Sequence, residues 1–233
     1  MHSDPRDIRN EILAQLQHSD PVRKALKQLA SRGVTKTDEI KAIATDDRSG
    51  VDSRIDAIIA ILAVERGAEE VLCDLLDTED RTVFVETLKV IASLHPRWAL
   101  PELMTRLKTC VDPRKRALFA WVLAAYPKDG DAERLLRDVM VTDPDAVVRE
   151  HAIEAMGVFE SDKTVNALLA ALETGSERER FWALYSLGNL ARPETADVIR
   201  KYLQDHTAIA GFGTVSDEAR QALAKIRNRE SNR

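Results

Sequence analysis

Apolar residues return to one side of a helix repeatedly along this chain. Val148, Ala152, Ala155, Met156 and Phe159 fall at i, i+4, i+7, i+8 and i+11, the spacing of a helix buried along a single stripe. The run from Arg180 to Gly188 repeats the arrangement. Aligned on the position held by Arg149 and Arg180, seven first-helix units centre on Arg23, Arg54, Val85, Arg114, Arg149, Arg180 and Ser216, at intervals of 29 to 36 residues. Second helices are predicted between them over Thr37 to Thr45, Ala68 to Leu76, Arg97 to Thr109, Asp131 to Val141, Lys163 to Leu172 and Pro193 to Leu203. Links such as Glu160-Ser161-Asp162 are short enough to fold each pair antiparallel. A period of this length, in which each unit hides its apolar face only against its neighbours, predicts an all-α solenoid of stacked helix pairs.

Residues 1–233 read as one repeat domain, with a capping helix in 1–19, a long loop over 205–215 and a carboxyl-terminal helix over 216–228. Asp20-Pro21, Asp112-Pro113 and Asp143-Pro144 each set a capping carboxylate before a proline, the pairing expected where a helix begins.

Composition narrows the function more than the fold. Only 5% of residues are aromatic and 44% are hydrophobic, which suits close-packed Ala/Leu-rich helices. The longest apolar run, Ala57 to Val64, is too short to span a bilayer. The start, Met1-His2-Ser3-Asp4-Pro5, is polar where a signal peptide is basic and then apolar, so a cytoplasmic protein with no membrane partner is expected. Cys73 and Cys110 lack metal-type spacing, which points to buried or half-buried free thiols outside any zinc site. A net charge of -5 argues against a general nucleic-acid binder. The charge is uneven: residues 39–80 hold twelve Asp/Glu against four Lys/Arg, a net of -8, leaving +3 for the rest.

The copy Asp143-Pro144-Asp145-Ala146-Val147-Val148-Arg149-Glu150-His151-Ala152-Ile153-Glu154-Ala155-Met156-Gly157, together with Arg180 through Gly188, resembles the HEAT-repeat family. Within it, the match is to the short subtype named after phycobilisome bilin lyases, with its pattern Asp-Pro-x-x-x-Val-Arg-x-x-Ala-x-x-Ala-Leu-Gly; copies before residue 110 match more loosely. The resemblance covers most of the chain and speaks to fold. It implies a right-handed superhelix of about six to seven helix pairs whose second helices line a concave wall, used chiefly for protein–protein interaction. It also implies a structural role for Arg149, Arg180 and Asp143, the arginine pairing with a capping aspartate near the seam between repeats.

Three enzymatic precedents among HEAT-like proteins find no support in these residues. Di-iron hydroxylases of this kind resemble one another in repeated His-Glu pairs; the five histidines here precede Ser3, Ser19, Pro96, Ala152 and Thr207, and Glu150-His151 stands alone in reversed order. Bilin lyases attach a tetrapyrrole to a cysteine of another protein, and no short catalytic signature here supports that chemistry; such an enzyme, or a chaperone-type subunit that handles a tetrapyrrole, stays the alternative on resemblance alone. Alkylpurine glycosylases need an aromatic, basic cleft, whereas Trp121 aligns with the core positions Met156 and Leu187. Gly211-Phe212-Gly213 follows a helix, where a dinucleotide fingerprint follows a strand, and reads as a mobile loop. No catalytic residue, metal or cofactor is called for.

Function in a solenoid is expected where one unit departs from the others, and two departures stand out. Phe181 and Trp182 replace mainly polar residues of other units, and Tyr185 lies one turn on, so three rings share a helix flank. The 205–215 connection is about twice the usual length and carries Ile209 and Phe212, which either cover those rings or leave them as a partner's anchor. The second departure is acidic. In the helix from Ala68 to Leu76 the apolar Val71, Leu72, Leu75 and Leu76 take the core, leaving Glu70, Asp74 and Asp77 for a partner with a basic segment. Arg106, Arg134, Arg137, Arg200 and Lys201 are expected to make the later part of that surface basic.

Overall fold

Six of the helices begin where a short polar side chain, Asp80, Asp112, Asp129, Asp145, Ser161 or Ser176, accepts the first unpaired amides. The computed structural model describes residues 21–34, 37–46, 48–63 and 69–231; the capping helix expected in 1–19 lies outside the described residues. These divide into two compact units, Met1–Thr105 and Arg106–Arg233. In the first, α1 (Pro21–Ser31), α3 (Val51–Ala63) and α5 (Arg81–Leu94) are the first helices of successive pairs, and α2 (Thr37–Thr45) and α4 (Glu69–Asp77) are second helices. The first helices pack side by side, α1 on α3 and α3 on α5, while α2 lies against α3 and α4. Ile58, Leu62, Leu72, Leu75, Leu88 and Ile91 are among the fully buried side chains between them. Each such aliphatic group contributes roughly 1.5–3 kcal/mol by leaving water.

The chain continues through α6 (Leu100–Thr109), which a 3-10 turn over Arg97–Ala99 introduces. The second unit then runs through first helices α7 (Pro113–Val122), α9 (Ala146–Ala155), α11 (Glu177–Leu190) and α13 (Val215–Ser231). The second helices α8 (Gly130–Thr142), α10 (Asp162–Thr174) and the short α12 (Ala196–Arg200) alternate with them. Again the first helices stack in series, α7 on α9, α9 on α11 and α11 on α13. The stripe Val148, Ala152, Ala155, Met156 and Phe159 is buried throughout.

The seam between first helices is narrow because small residues meet there. Ser186 donates to the carbonyls of Ile153 and Glu154 at 2.9 and 3.2 Å, and a Cβ added to Gly157 would stand 3.0 Å from Ser186 Cα. At the next seam a Cβ on Gly188 would come within 2.8 Å of Ala222 Cα, so only glycine permits this approach.

Three boundaries differ from the sequence reading. Asp112 caps α7 ahead of Pro113 as expected, but α9 is capped by Asp145, whose carboxylate accepts from Val147 and Val148. Asp143 instead ends α8 as its C-cap, because Pro144 and Asp145 place one more turn of chain before the helix. The second helix expected to reach Leu203 stops at Arg200 and tightens into i→i+3 turns, with Tyr202 N to Ile199 O at 3.0 Å. Tyr202 donates its hydroxyl hydrogen to the Leu172 carbonyl at 3.0 Å. Finally, 205–215 is not a structureless loop: Ala208–Ile209 and Gly213–Thr214 pair antiparallel, with Gly211 and Gly213 at φ of 82° and 107° allowing the reversal.

Candidate interaction surfaces

The arginine position repeats as a clasp between units. Arg54 Nη1 lies 2.8 Å from Asp80, the N-cap of α5. Arg116 makes a two-pronged contact with Asp143, Nε to Oδ2 and Nη2 to Oδ1 both at 3.0 Å. Arg149 Nε reaches Glu179 at 2.6 Å, and Arg180 Nη1 reaches Asp205 at 3.0 Å. In each case a guanidinium on one first helix meets a carboxylate at the entry to the next pair. The same group also ties down the loop before its own helix: Arg116 Nη1 donates to the Cys110 and Val111 carbonyls at 2.9 Å, and Arg149 Nη1 to those of Asp143 and Pro144. Five fixed donors allow this double duty, which a lysine lacks.

Two sequence assignments are refined by this geometry. Arg116, not Arg114, occupies the clasp of its unit; Arg114 falls in the first turn, its amide held by Asp112. Arg149 pairs not with the aspartate before its own helix but with Glu179 of the following unit, which completes a capping box with Ser176. Burial raises the Glu179 pKa, yet the Ser176 amide and Arg149 outweigh it and hold the carboxyl below its ordinary value. Asp80 and Asp205 are lowered by the same contest between burial and hydrogen bonds.

The aromatic departure is brought together and covered. Phe181 and Trp182 are 3% and 2% exposed. Their rings meet edge to face at 5.5 Å, and Phe212 folds back onto both, at 5.9 and 5.2 Å between centroids. Ile209 is buried beside them in the hairpin, while Phe212 is half-buried. As exposed anchors, Phe181 and Trp182 therefore drop out: the hairpin places them in the core of the carboxyl-terminal end. Tyr185 stays half-buried, stacked edge-on against Trp182 at 5.6 Å with Lys225 Nζ 4.8 Å from its ring centre.

The acidic helix α4 carries Asp74 and Asp77 exposed on the side opposite buried Val71, Leu72, Leu75 and Leu76, with Cys73 half-buried. Glu70 is placed by its backbone alone, in the first turn. Asp38 and Glu39 of the adjacent α2 are exposed too. The basic character expected of the later second helices is locally offset: Arg134 pairs with Asp131, Arg137 with Glu133 and Arg200 with Asp197. Sequence spacing held that signal, since each arginine follows an acid by three or four positions on its helix.

Among the described residues no group of three or more His, Cys, Asp or Glu side chains is placed to hold a metal ion. Glu150 is buried and its carboxylate is met by Arg178 Nε at 3.1 and 3.2 Å; His151 is buried with Nδ1 2.9 Å from the Val147 carbonyl. Both side chains are engaged in packing. No helix among the described residues is long and apolar enough to cross a membrane.

A profile of HEAT repeats matches residues 69–157, 100–187 and 132–224. The chain belongs to the HEAT-repeat family. Its all-α architecture of paired helices is that of the family. Among solved structures, human deoxyhypusine hydroxylase in complex with glycerol is similar at 16% identity and a TM-score of 0.45, over 82% of this chain and 74% of that one. An engineered protein is similar at 18% identity and a TM-score of 0.47, over 82% of this chain and 97% of that one. No curated protein matches the chain.

Proposed function

We propose that this HEAT-repeat protein is a non-catalytic adaptor of the cytoplasm that holds another protein on the face lined by its second helices, the concave wall that the family resemblance implies, within the short phycobilisome-lyase-type subtype. The observation that supports this most is the exposed acidic side of α4, where Asp74 and Asp77 stand clear of a well-filled core. Together with Asp38 and Glu39 of α2 they offer a fixed negative surface to a basic segment. Glu70 is assigned to the same surface by its place in the helix. Tyr185 and Phe212, each half-buried, are assigned to a secondary contact at the other end of the chain.

Affinity capture from native lysate, with the captured proteins challenged by rising salt, tests the reading. A partner lost between low and moderate salt supports it, because surface steering is screened within about 8–10 Å. A covalent coloured product formed on incubation with a bilin and an acceptor protein overturns it in favour of lyase chemistry. We also propose that residues 1–233 work as one repeat domain. Severing the chain after Thr142 is expected to give fragments that melt lower than the whole, since each unit hides its stripe against neighbours. Fragments melting as sharply and as high as the intact chain refute this.

A further inference from the structure

The side of α13 that faces the protein interior consists of Val215, Ser216, Glu218, Ala219, Ala222 and Ile226, all buried. Four are apolar. Glu218 is 5% exposed, and its Oε1 is enclosed without a hydrogen-bond partner. The helix has no room to settle elsewhere, because Ala222 already lies against Gly188 at the limit of approach. Asp217, one residue earlier, faces outward and binds the Thr214 amide and hydroxyl, fixing the register that turns Glu218 inward.

A carboxyl group in such a place tolerates its neutral form far better than its anion, which must either stay poorly solvated or swing outward and pull the first turn of α13 with it. That turn joins the hairpin directly at Thr214, and the hairpin is what covers Phe181 and Trp182. We propose that Glu218 is a proton-controlled latch on the carboxyl-terminal cap: neutral, it lets the hairpin close over Phe181 and Trp182, and ionised, it loosens that closure.

Several charged groups lie on the elements packed against α13. Tyr185 is on α11, Asp205 and His206 are at the base of the hairpin, Glu194, Asp197 and Arg200 are on the segment around α12, and Asp217, Arg220 and Lys225 are on α13 itself. Burial pushes the Glu218 pKa above its ordinary value, and Lys225 opposes this without cancelling it. A raised folded-state value means that Glu218's contribution to the cap's stability is complete below the unfolded carboxyl pKa, about 4.3, and is lost as pH rises through the folded one.

Chymotryptic cleavage after Phe212 reads the latch. Rates for the intact protein are divided by those for a free peptide spanning 205–220 at each pH between about 4.5 and 8, which cancels the protease's own pH dependence. Protection of the wild type is expected to fall with rising pH by up to about tenfold for each unit by which Glu218 is raised. Glu218→Gln and Glu218→Leu, checked for helical content, are expected to keep constant protection. Flat protection in the wild type, or the wild-type slope surviving in either folded variant, overturns the proposal.

Discussion

The seam between α9 and α11 and the seam between α11 and α13 are built on one plan and finished in two ways. Both carry the arginine clasp, Arg149 to Glu179 in the first and Arg180 to Asp205 in the second. Both close on a small residue, Gly157 against Ser186 and Gly188 against Ala222. At the first the chain passes through the thirteen-residue second helix α10; at the second it passes through a five-residue second helix and a hairpin whose Phe212 lies on Phe181 and Trp182. Where the next repeat fails to supply a complete apolar surface, aromatic side chains supply it instead, which keeps the end of the array from exposing its stripe. The cap also buries a charge-bearing group, Glu218, that the inner seam satisfies differently: there the buried Glu150 is met by Arg178.

The largest difference is expected from the cap. Replacing Phe181 and Trp182 by Ala removes two rings that are nearly fully buried, so the loss should resemble core truncation, about 3 kcal/mol or more per ring. Thermal and denaturant melts of the double variant measure it. A variant that melts with the wild type would mean that the hairpin does not seal this end, and the comparison with the inner seam would fail at its main point.

How much of this contrast the sequence carries depends on how local the cause is. The stripe from Val148 to Phe159 was readable because helical periodicity is written in neighbouring residues, and all five side chains are buried. The clustering of Phe181, Trp182 and Tyr185 was readable for the same reason. Which of the two readings holds for Phe181 and Trp182, covered or open, is not written locally, because it depends on Phe212 returning across a hairpin whose strands are two residues long. The alignment sets Arg114 at the clasp position of its unit, and nothing local records that it is the Arg116 guanidinium that reaches a carboxylate 27 positions on. Glu218 reads as one of two acids in a solvated first turn; only the register Val215, Glu218, Ala219, Ala222 and Ile226 betrays it, and that signal was present but weak beside the pattern Asp-Glu.

A smaller effect is expected from the clasp. Arg149→Met, Glu179→Gln and the double variant form a cycle whose coupling should be about 1–2 kcal/mol near neutrality, reduced from a fully buried pair because both groups retain some solvent. Its pH dependence runs opposite to that of the latch. Glu179, Asp80 and Asp205 are held below their ordinary values, so their contribution is present above the unfolded carboxyl pKa values, about 4, and lost as pH falls through the folded ones. Melting temperatures should therefore drop in acid for the wild type and less so for the double variant. Equal acid sensitivity in both would remove the Arg149–Glu179 clasp as its source.

The smallest change in stability, and the largest in association, is expected on α4. Glu70→Lys, Asp74→Lys and Asp77→Lys leave the buried Val71, Leu72, Leu75 and Leu76 untouched, and surface substitutions away from caps and cores shift stability by about 0.5 kcal/mol or less. Helical content by circular dichroism should not move. Association with a basic partner should slow at low salt and lose most of its salt dependence, because the reversed charges repel the approach that the native surface attracts. The same triple substitution sharpens the contrast with the cap: a residue set that alters binding without altering melting marks a working surface, whereas Phe181 and Trp182 are expected to do the reverse. Unchanged association rates at low salt would take the acidic face out of the binding account and leave Tyr185 and Phe212 as the remaining contact.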